Sequence, residues 1–178
     1  MPRFTSGTLV AGVVAGALAV ICGLTAAAAS SAPADRYAAR QAAAGAEDSV
    51  CRRSGLPADC GSGTRVVYSV AQHRVWLVRG DERVLRTYQV KAGDPPPALG
   101  THQVFARSVR GRGGDGAPVE HVVLFAQSGG GNIGFSAAVG PAKARRGAKP
   151  TAAIREARPD GDALWHFATI GTTVEVVQ

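Results

Sequence analysis

Cysteine and histidine are scarce in this sequence, with three cysteines and four histidines in 178 residues. No C-x-x-C or H-x-x-x-H spacing occurs, and the isolated pair of Cys51 and Cys60 supplies only two ligands where structural zinc needs four. No internal repeat is visible. These absences predict a chain that uses neither a metal nor another cofactor and that folds as a single unit with a tail, because its length suits one domain.

An uncharged run of apolar and small residues follows the basic N-terminus and extends from Thr8 to Ala29. The order of a basic residue, an apolar stretch and a small-residue Ala27-Ala28-Ala29 site is typical of a secretory signal peptide. The run is about twenty residues long, which also suffices to span a bilayer if it is not cleaved. We therefore predict that residues 1–29 are a signal peptide or an N-terminal membrane anchor, and that the protein is extracytoplasmic, either secreted or attached to the cell envelope.

Residues 30–63 are rich in Ala, Ser, Arg and Gly and have few large apolar side chains, which predicts a low-complexity linker. Cys51 and Cys60 lie in this segment and flank a loop that Gly55 and Pro57 allow to turn. Because exported proteins keep disulfides, the sequence predicts a Cys51–Cys60 bond, with two unpaired thiols as the alternative. A bond within a linker is not expected to stabilise the domain that follows.

The formal net charge is +7, which in an exported chain favours anionic polymers or lipid headgroups over nucleic acid as partners. Part of this charge is clustered. Arg107, Arg110 and Arg112 surround one Gly-rich loop, and a second basic loop contains Lys143, Arg145, Arg146 and Lys149. The alternative is that both clusters are solvated loops whose charge maintains solubility.

From Thr64 onwards, short β-branched and aromatic runs alternate with turn residues, which is typical of strands. The predicted strands are 66–70, 74–79, 83–90, 101–106, 119–126, 133–139 and 172–177. One short helix is predicted at 161–168, where an acidic residue near its start can accept orphan N–H groups. Residues 64–178 are thus predicted to form a mostly β domain, a sandwich or barrel with one short helix near the C-terminus.

The C-terminal residues carry a resemblance to a known family. Thr151-Ala152-Ala153-Ile154-Arg155 is followed by a short helical stretch and by Gly171-Thr172-Thr173-Val174. This order resembles the L,D-transpeptidase catalytic domain, a bacterial peptidoglycan cross-linking module whose motif reads Ser-His-Gly-Cys-Ile-Arg. The resemblance covers Thr64 to Val177 and implies an L,D-transpeptidase-like β-sandwich or barrel.

Aligned on Ile154-Arg155, the resemblance places Ala153 where the family has its nucleophilic cysteine and Thr151 where it has a histidine. Ser136 falls at or near the position of the catalytic histidine. Since the nucleophile of such enzymes is a thiolate, these replacements imply a degenerate, catalytically inactive site. The resemblance then implies an exported binding or accessory protein of the cell wall, with peptidoglycan stem peptides or anionic wall polymers as partners.

Arg155, Ser136 and Thr151 are the predicted binding residues, since a guanidinium can bind a carboxylate through two hydrogen bonds. Three alternatives stay open. In the first, Arg155 forms an ion pair with Glu156 or Asp160. In the second, the protein is an active transpeptidase that uses Ser136 or Thr151 as a non-standard nucleophile, with His121 or His102 as the base. In the third, the domain is an exported interaction module without affinity for the wall.

Overall fold

Nine short strands and two helices make up the part of the chain that the computed structural model describes, residues 33–140 and 151–178. Sheet A has the strand order β3-β2-β1-β9-β4. Its strands are β1 (Arg65–Ser69), β2 (Arg74–Val78), β3 (Val84–Gln89), β4 (Gly100–Gln103) and β9 (Thr173–Val177). β9 runs parallel to β1, and the other neighbours in this sheet are antiparallel.

Sheet B has the strand order β5-β6-β7-β8 and ends in a parallel pair, β7 and β8. Its strands are β5 (Ala106–Arg112), β6 (Pro118–Ser128), β7 (Gly131–Ala138) and β8 (Ile154–Glu156). Helix α1 (Pro33–Arg53) precedes both sheets, and helix α2 (Arg158–Phe167) follows β8 directly. The mostly β fold class, with two sheets and a short C-terminal helix, is confirmed.

The inner faces of the two sheets share one hydrophobic core. Because side chains alternate along a strand, β1 contributes Val66 and Tyr68, and β7 contributes Ile133 and Phe135. The rings of Tyr68 and Phe135 meet edge to face, with their centroids 5.9 Å apart. Leu164 of α2 is fully buried in the same core, which fixes the helix at the end of β8.

The outer face of sheet A carries a second, smaller core. Val67, Trp76, Val78 and Val177 point to this side and pack against a segment that contains Cys51, Leu56 and Cys60. Cys51 and Cys60 are joined by a disulfide, as the sequence predicts, and both are fully buried. The disulfide segment lies within the compact unit Ala46–Gln178, so it packs with the strands instead of standing apart from them.

The sequence patterns do not predict three elements of the structure, namely α1, β5 and the three-residue strand β8. α1 falls in residues predicted to be linker; its alanines favour a helix, but they form no apolar stripe that periodicity would detect. β5 overlaps the predicted strand 101–106 only at Ala106, and the rest of it is mostly Arg, Ser and Gly, which gives no apolar alternation. The division of the chain at residues 29/30 and 63/64 stays a prediction.

The predicted leader, residues 1–29, lies outside the described residues. Neither α1 nor α2, the helices of residues 33–140 and 151–178, has the length and apolar character needed to cross a bilayer.

Candidate functional site

A cleft of about 470 Å³ lies on the outer face of sheet B. The turns between β5 and β6 and between β6 and β7 border it, as do the residues that lead into β8. Its lining includes Gly113, Gly134, Ser136, Thr151, Ala153 and Arg155. The four positions singled out by the sequence, Ser136, Thr151, Ala153 and Arg155, are thus brought together in one cavity.

The pairing of β7 with β8 places two of these residues side by side. Ser136 is the register partner of Arg155, so their side chains leave the same face of the sheet. The flanking residues Phe135 and Ile154 form the next pair and point into the core. One strand pair therefore anchors the core on one side and presents a hydroxyl and a guanidinium to the cleft on the other.

Arg155 is held by contacts from several elements. Its Nη1 donates to the Ser136 hydroxyl, and its Nη2 donates to Oδ1 of Asp115 at 2.9 Å. Its backbone exchanges two hydrogen bonds of 2.9 Å with Lys91. The side chain is 13% exposed, so the positive charge is largely withdrawn from water. The ion-pair partner of Arg155 is Asp115, and not Glu156 or Asp160 as the alternative interpretation of the sequence had it.

Asp115 lies in the tight turn between β5 and β6 and reaches over the face of sheet B. Partial burial opposes its ionisation, but hydrogen bonds from the Ala117 N–H and from Arg155 prevail and lower the pKa of the Asp115 carboxyl. Gly113 makes this approach possible, because a Cβ at that position would overlap the Arg155 guanidinium. The sequence identified this segment as a turn but held no signal that Asp115 would meet Arg155, which lies forty residues further along the chain.

Thr151 and Ala153 form the opposite wall of the cleft. The Ala153 N–H donates to the Thr151 hydroxyl at 3.3 Å, and the Thr151 carbonyl accepts from the Asp94 N–H at 2.9 Å. Gly93 lies so close that a Cβ there would overlap the Ala152 backbone. Local hydrogen bonds therefore fix this wall just before β8 begins.

No thiol and no imidazole lies among the cleft residues that the structure describes. The two histidines considered as bases are engaged elsewhere. His121 stacks on Trp165 with ring centroids 5.5 Å apart, and Nε2 of His102 contacts the Ala98 carbonyl oxygen at 2.8 Å. Asp94 is the one carboxylate in the described lining, and no hydrogen bond joins its side chain to Ser136 or Thr151.

Glu156 follows Arg155 on β8 and points to the inner side of sheet B. Its Oε1 accepts a hydrogen bond of 2.5 Å from the Tyr88 hydroxyl. Burial raises the pKa of the Glu156 carboxyl to about 8, although the Tyr88 hydrogen bond opposes this shift. This shift favours the protonated form of the Glu156 carboxyl at neutral pH.

The second basic loop, with Lys143, Arg145, Arg146 and Lys149, lies outside the described residues. Within the described residues, no group of three or more Asp, Glu, His and Cys side chains is placed to hold a metal ion.

Comparison with known proteins identifies the fold. No protein-family model matches the sequence, and no curated protein is similar to it. The structure is similar to that of an L,D-transpeptidase from Stackebrandtia nassauensis, with a TM-score of 0.55 and 15% identity over 72% of this chain and 64% of that one. It is also similar to an L,D-transpeptidase from Mycobacterium smegmatis, with a TM-score of 0.50 and 16% identity over 66% of this chain and 60% of the other.

A third similar structure is a fused Zn-dependent amidase/peptidase/peptidoglycan-binding domain-containing protein from Clostridium acetobutylicum. The TM-score is 0.52, and the identity is 17% over 76% of this chain and 58% of that protein. The chain therefore spans less than two thirds of the length of each of these three structures. At such identities the similarity shows a shared fold, the L,D-transpeptidase-like β-sandwich.

Proposed function

We propose that this protein is an exported, catalytically inactive L,D-transpeptidase-like protein that binds peptidoglycan stem peptides or anionic wall polymers. The observation that carries the proposal is the position of Ala153. It lines the same cleft as Ser136, Thr151 and Arg155, at the place where the motif resemblance puts the nucleophilic cysteine. A methyl group there cannot attack a carbonyl, whereas the cleft itself is retained.

The hydrogen bonds of the two hydroxyls favour binding over catalysis. The Ser136 hydroxyl accepts from Arg155, and the Thr151 hydroxyl accepts from a backbone N–H. A hydroxyl becomes a nucleophile when a base removes its proton, and a guanidinium stays protonated and cannot act as that base. A non-standard nucleophile would therefore need a base that these contacts do not supply.

Arg155 is the residue best suited to hold a ligand. A guanidinium has five N–H donors, and Ser136 and Asp115 use one each. Because the side chain is largely buried, a ligand carboxylate that reaches the remaining donors would meet a weakly screened charge. A stem peptide offers such carboxylates.

Export and attachment to the envelope complete the proposal. The apolar leader at residues 1–29 and the Cys51–Cys60 disulfide support an oxidising compartment outside the cytoplasm. The leader is proposed as a cleaved signal or as a membrane anchor, and the basic loop at 143–149 as a further contact to anionic polymers.

Acylation by a carbapenem tests the catalytic half of the proposal. The full chain is incubated with the drug, and intact-protein mass spectrometry then records any covalent adduct. We expect none on the wild type, and we expect a slowly formed adduct on Ala153→Cys, since a thiol with an ordinary pKa is only partly ionised at neutral pH. An adduct on the wild type would identify an active enzyme with another nucleophile.

Sedimentation with purified peptidoglycan tests the binding half. Arg155→Ala is expected to weaken retention about tenfold at both low and high salt, because a partly buried contact is weakly screened. Arg86→Ala is the matched control, since it also removes an arginine paired with an aspartate, Asp160 at 2.6 Å, but outside the cleft. Equal retention of wild type and both variants would favour an interaction domain without affinity for the wall.

A further inference from the structure

A second pocket adjoins the cleft at the edge of sheet B and has a volume of about 440 Å³. Three arginines line it: Arg110 and Arg112 from β5, and Arg158 from the first position of α2. All three side chains belong to exposed residues. We call this cavity, defined by Arg110, Arg112, Glu120 and Arg158, the arginine pocket.

The charges in the arginine pocket do not balance. Glu120 is its carboxylate, and Arg158 binds it through contacts of 2.5 and 3.2 Å. The hydrogen bond from Arg158 lowers the pKa of the Glu120 carboxyl, which keeps it ionised. Arg110 and Arg112 form no ion pair with any carboxylate in the described residues. Three positive charges therefore face one negative charge.

The number and position of the guanidinium groups suit phosphate better than carboxylate. Arg110 lies opposite Glu120 in the β5–β6 register, and Arg112 lies two residues further along the same face of β5. A carboxylate offers two oxygens, which one arginine fork can satisfy, whereas a phosphate group offers oxygens to several forks at once. Neither Arg110 nor Arg112 has an ion-pair partner among the described residues, although Arg112 Nη1 donates to the Gly116 carbonyl at 3.4 Å, and a phosphate can use the remaining donors of both.

The arginine pocket and the cleft are neighbours, because Arg112 and Val119 line both. A ligand that occupies the two cavities together would have to be an extended chain that passes Arg112. This geometry suits a polymer with repeated anionic groups better than a single small ion.

We infer that the arginine pocket is a binding site for the phosphate groups of an anionic polymer, with Arg110 and Arg112 as the principal contacts. The inference rests on the proposed function in naming a wall polymer as the natural source. The chemistry of the site is independent of that source, since any phosphate chain presents the same oxygens.

The test uses the full chain and measures its affinity for polyphosphate at low and moderate salt, with polyglutamate of similar charge as the carboxylate arm. Arg110→Gln is expected to weaken polyphosphate binding about fivefold, because one charge-assisted contact is lost at an exposed site. Arg83→Gln is the matched control. Both arginines are exposed, neither side chain forms a hydrogen bond or ion pair with described residues, and each change lowers the net charge by one.

A variant that should strengthen polyphosphate binding complements this test. Glu120→Gln removes the carboxylate and releases Arg158, so polyphosphate binding should strengthen about threefold. Asp81→Asn is its control, since it breaks an exposed pair with Arg79 on the other sheet. Melting curves check that each variant stays folded, above all Glu120→Gln, whose side chain is 15% exposed.

Equal effects of Arg110→Gln and Arg83→Gln would overturn the inference, because net charge alone would then explain binding. Polyglutamate binding as tight as polyphosphate binding would overturn the assignment to phosphate. Failure of Arg155→Ala to reduce retention on peptidoglycan, together with a specific loss in Arg110→Gln, would reject the proposed role of the cleft and leave the phosphate site standing.

Discussion

The outer faces of the two sheets differ in what covers them. On sheet A, Trp76 and Val67 are buried beneath the disulfide segment and form a dry second core. On sheet B, the corresponding face presents Gly134, Ser136 and Arg155 to an open cleft. Among the described residues, one outer face is thus covered by the disulfide segment, whereas the other borders a cleft.

Arg65 and Arg155 show the same difference between the two outer faces. Arg65, on the outer face of sheet A, is completely buried, and its guanidinium binds Glu82 at 2.9 Å and the Gly63 carbonyl at 2.6 Å. Arg155, on the outer face of sheet B, binds Asp115 and Ser136 and keeps further donors at the cleft. The Arg65 guanidinium also donates to the Cys60 carbonyl and so holds the disulfide segment, whereas Arg155 lines the cleft.

Truncation of a large side chain on the covered outer face of sheet A should cause the largest loss of stability. Trp76→Ala removes a large side chain that is 5% exposed, and we expect a loss of about 3–4 kcal/mol in the free energy of unfolding, measured by urea denaturation. Val122→Ala, in the wall of the cleft, is the counterpart on the open face and should cost less than about 1 kcal/mol. Similar losses in the two variants would contradict the contrast between the faces.

Removal of the disulfide tests whether the covering segment belongs to the domain. Cys51→Ser with Cys60→Ser should lower the free energy of unfolding by about 2–3 kcal/mol, since the bond restricts the unfolded chain and lies against the strands. Thermal unfolding monitored by the fluorescence of the two tryptophans would record the change. An unchanged midpoint would support the sequence-based expectation that the bond does not stabilise the domain.

The carboxyl group of Glu156, on the inner face of sheet B directly behind the cleft, should make the stability of the protein depend on pH. Its pKa of about 8 in the folded protein exceeds the usual 4.5, so the folded state keeps a proton that the unfolded state releases. Stability should therefore fall as the pH rises from about 4.5 to about 8. Glu156→Gln should flatten this slope, matching the wild type near pH 4 and exceeding it by several kcal/mol near pH 9.

Tyr88→Phe is the companion variant for that measurement. The Tyr88 hydrogen bond lowers the pKa of Glu156, so its loss should move the falling part of the stability profile to higher pH. A wild-type profile without a slope between pH 5 and pH 8 would show that Glu156 is not protonated in the folded protein.

Asp115 gives a smaller expected change in stability than Trp76, the disulfide or Glu156. Asp115→Asn weakens a partly exposed pair and should cost about 1 kcal/mol at pH 7. Because the pKa of Asp115 is lowered on folding, this difference should disappear as the pH falls through the folded value. The same variant frees Arg155, so calorimetry should show tighter binding of a carboxylate peptide. Unchanged binding would mean that Asp115 does not compete with ligands.

The strands of the core could be predicted from the sequence because each is a short apolar run bounded by turn residues. The helix predicted at 161–168 is found as α2 at Arg158–Phe167. The patterns miss α1 and β5 because neither has the apolar periodicity that burial imposes on one face, and they miss β8 because three residues are too few to show one. β1 and β2 carried a further signal: both are apolar on successive residues, which is typical of strands buried on both faces.

The candidate site was only partly accessible to sequence reasoning. Ser136, Thr151, Ala153 and Arg155 were singled out through their resemblance to a motif, and the parallel pairing of β7 with β8 brings them into one cleft. Asp115 was not singled out. A turn residue becomes the partner of a distant arginine only when two strands and a tight turn set the distance between them.

The sequence by itself determined the alternation of apolar strands, the pairing of two cysteines and the absence of a thiol beside Ile154-Arg155, since these are properties of composition and spacing. Only the tertiary structure decided which sheet face is covered and which arginines keep unpaired donors. Those outcomes depend on contacts between segments far apart in the chain, such as the disulfide segment against β1 and β2, or Asp115 against Arg155. Local patterns do not encode such contacts, because they arise when the whole core packs.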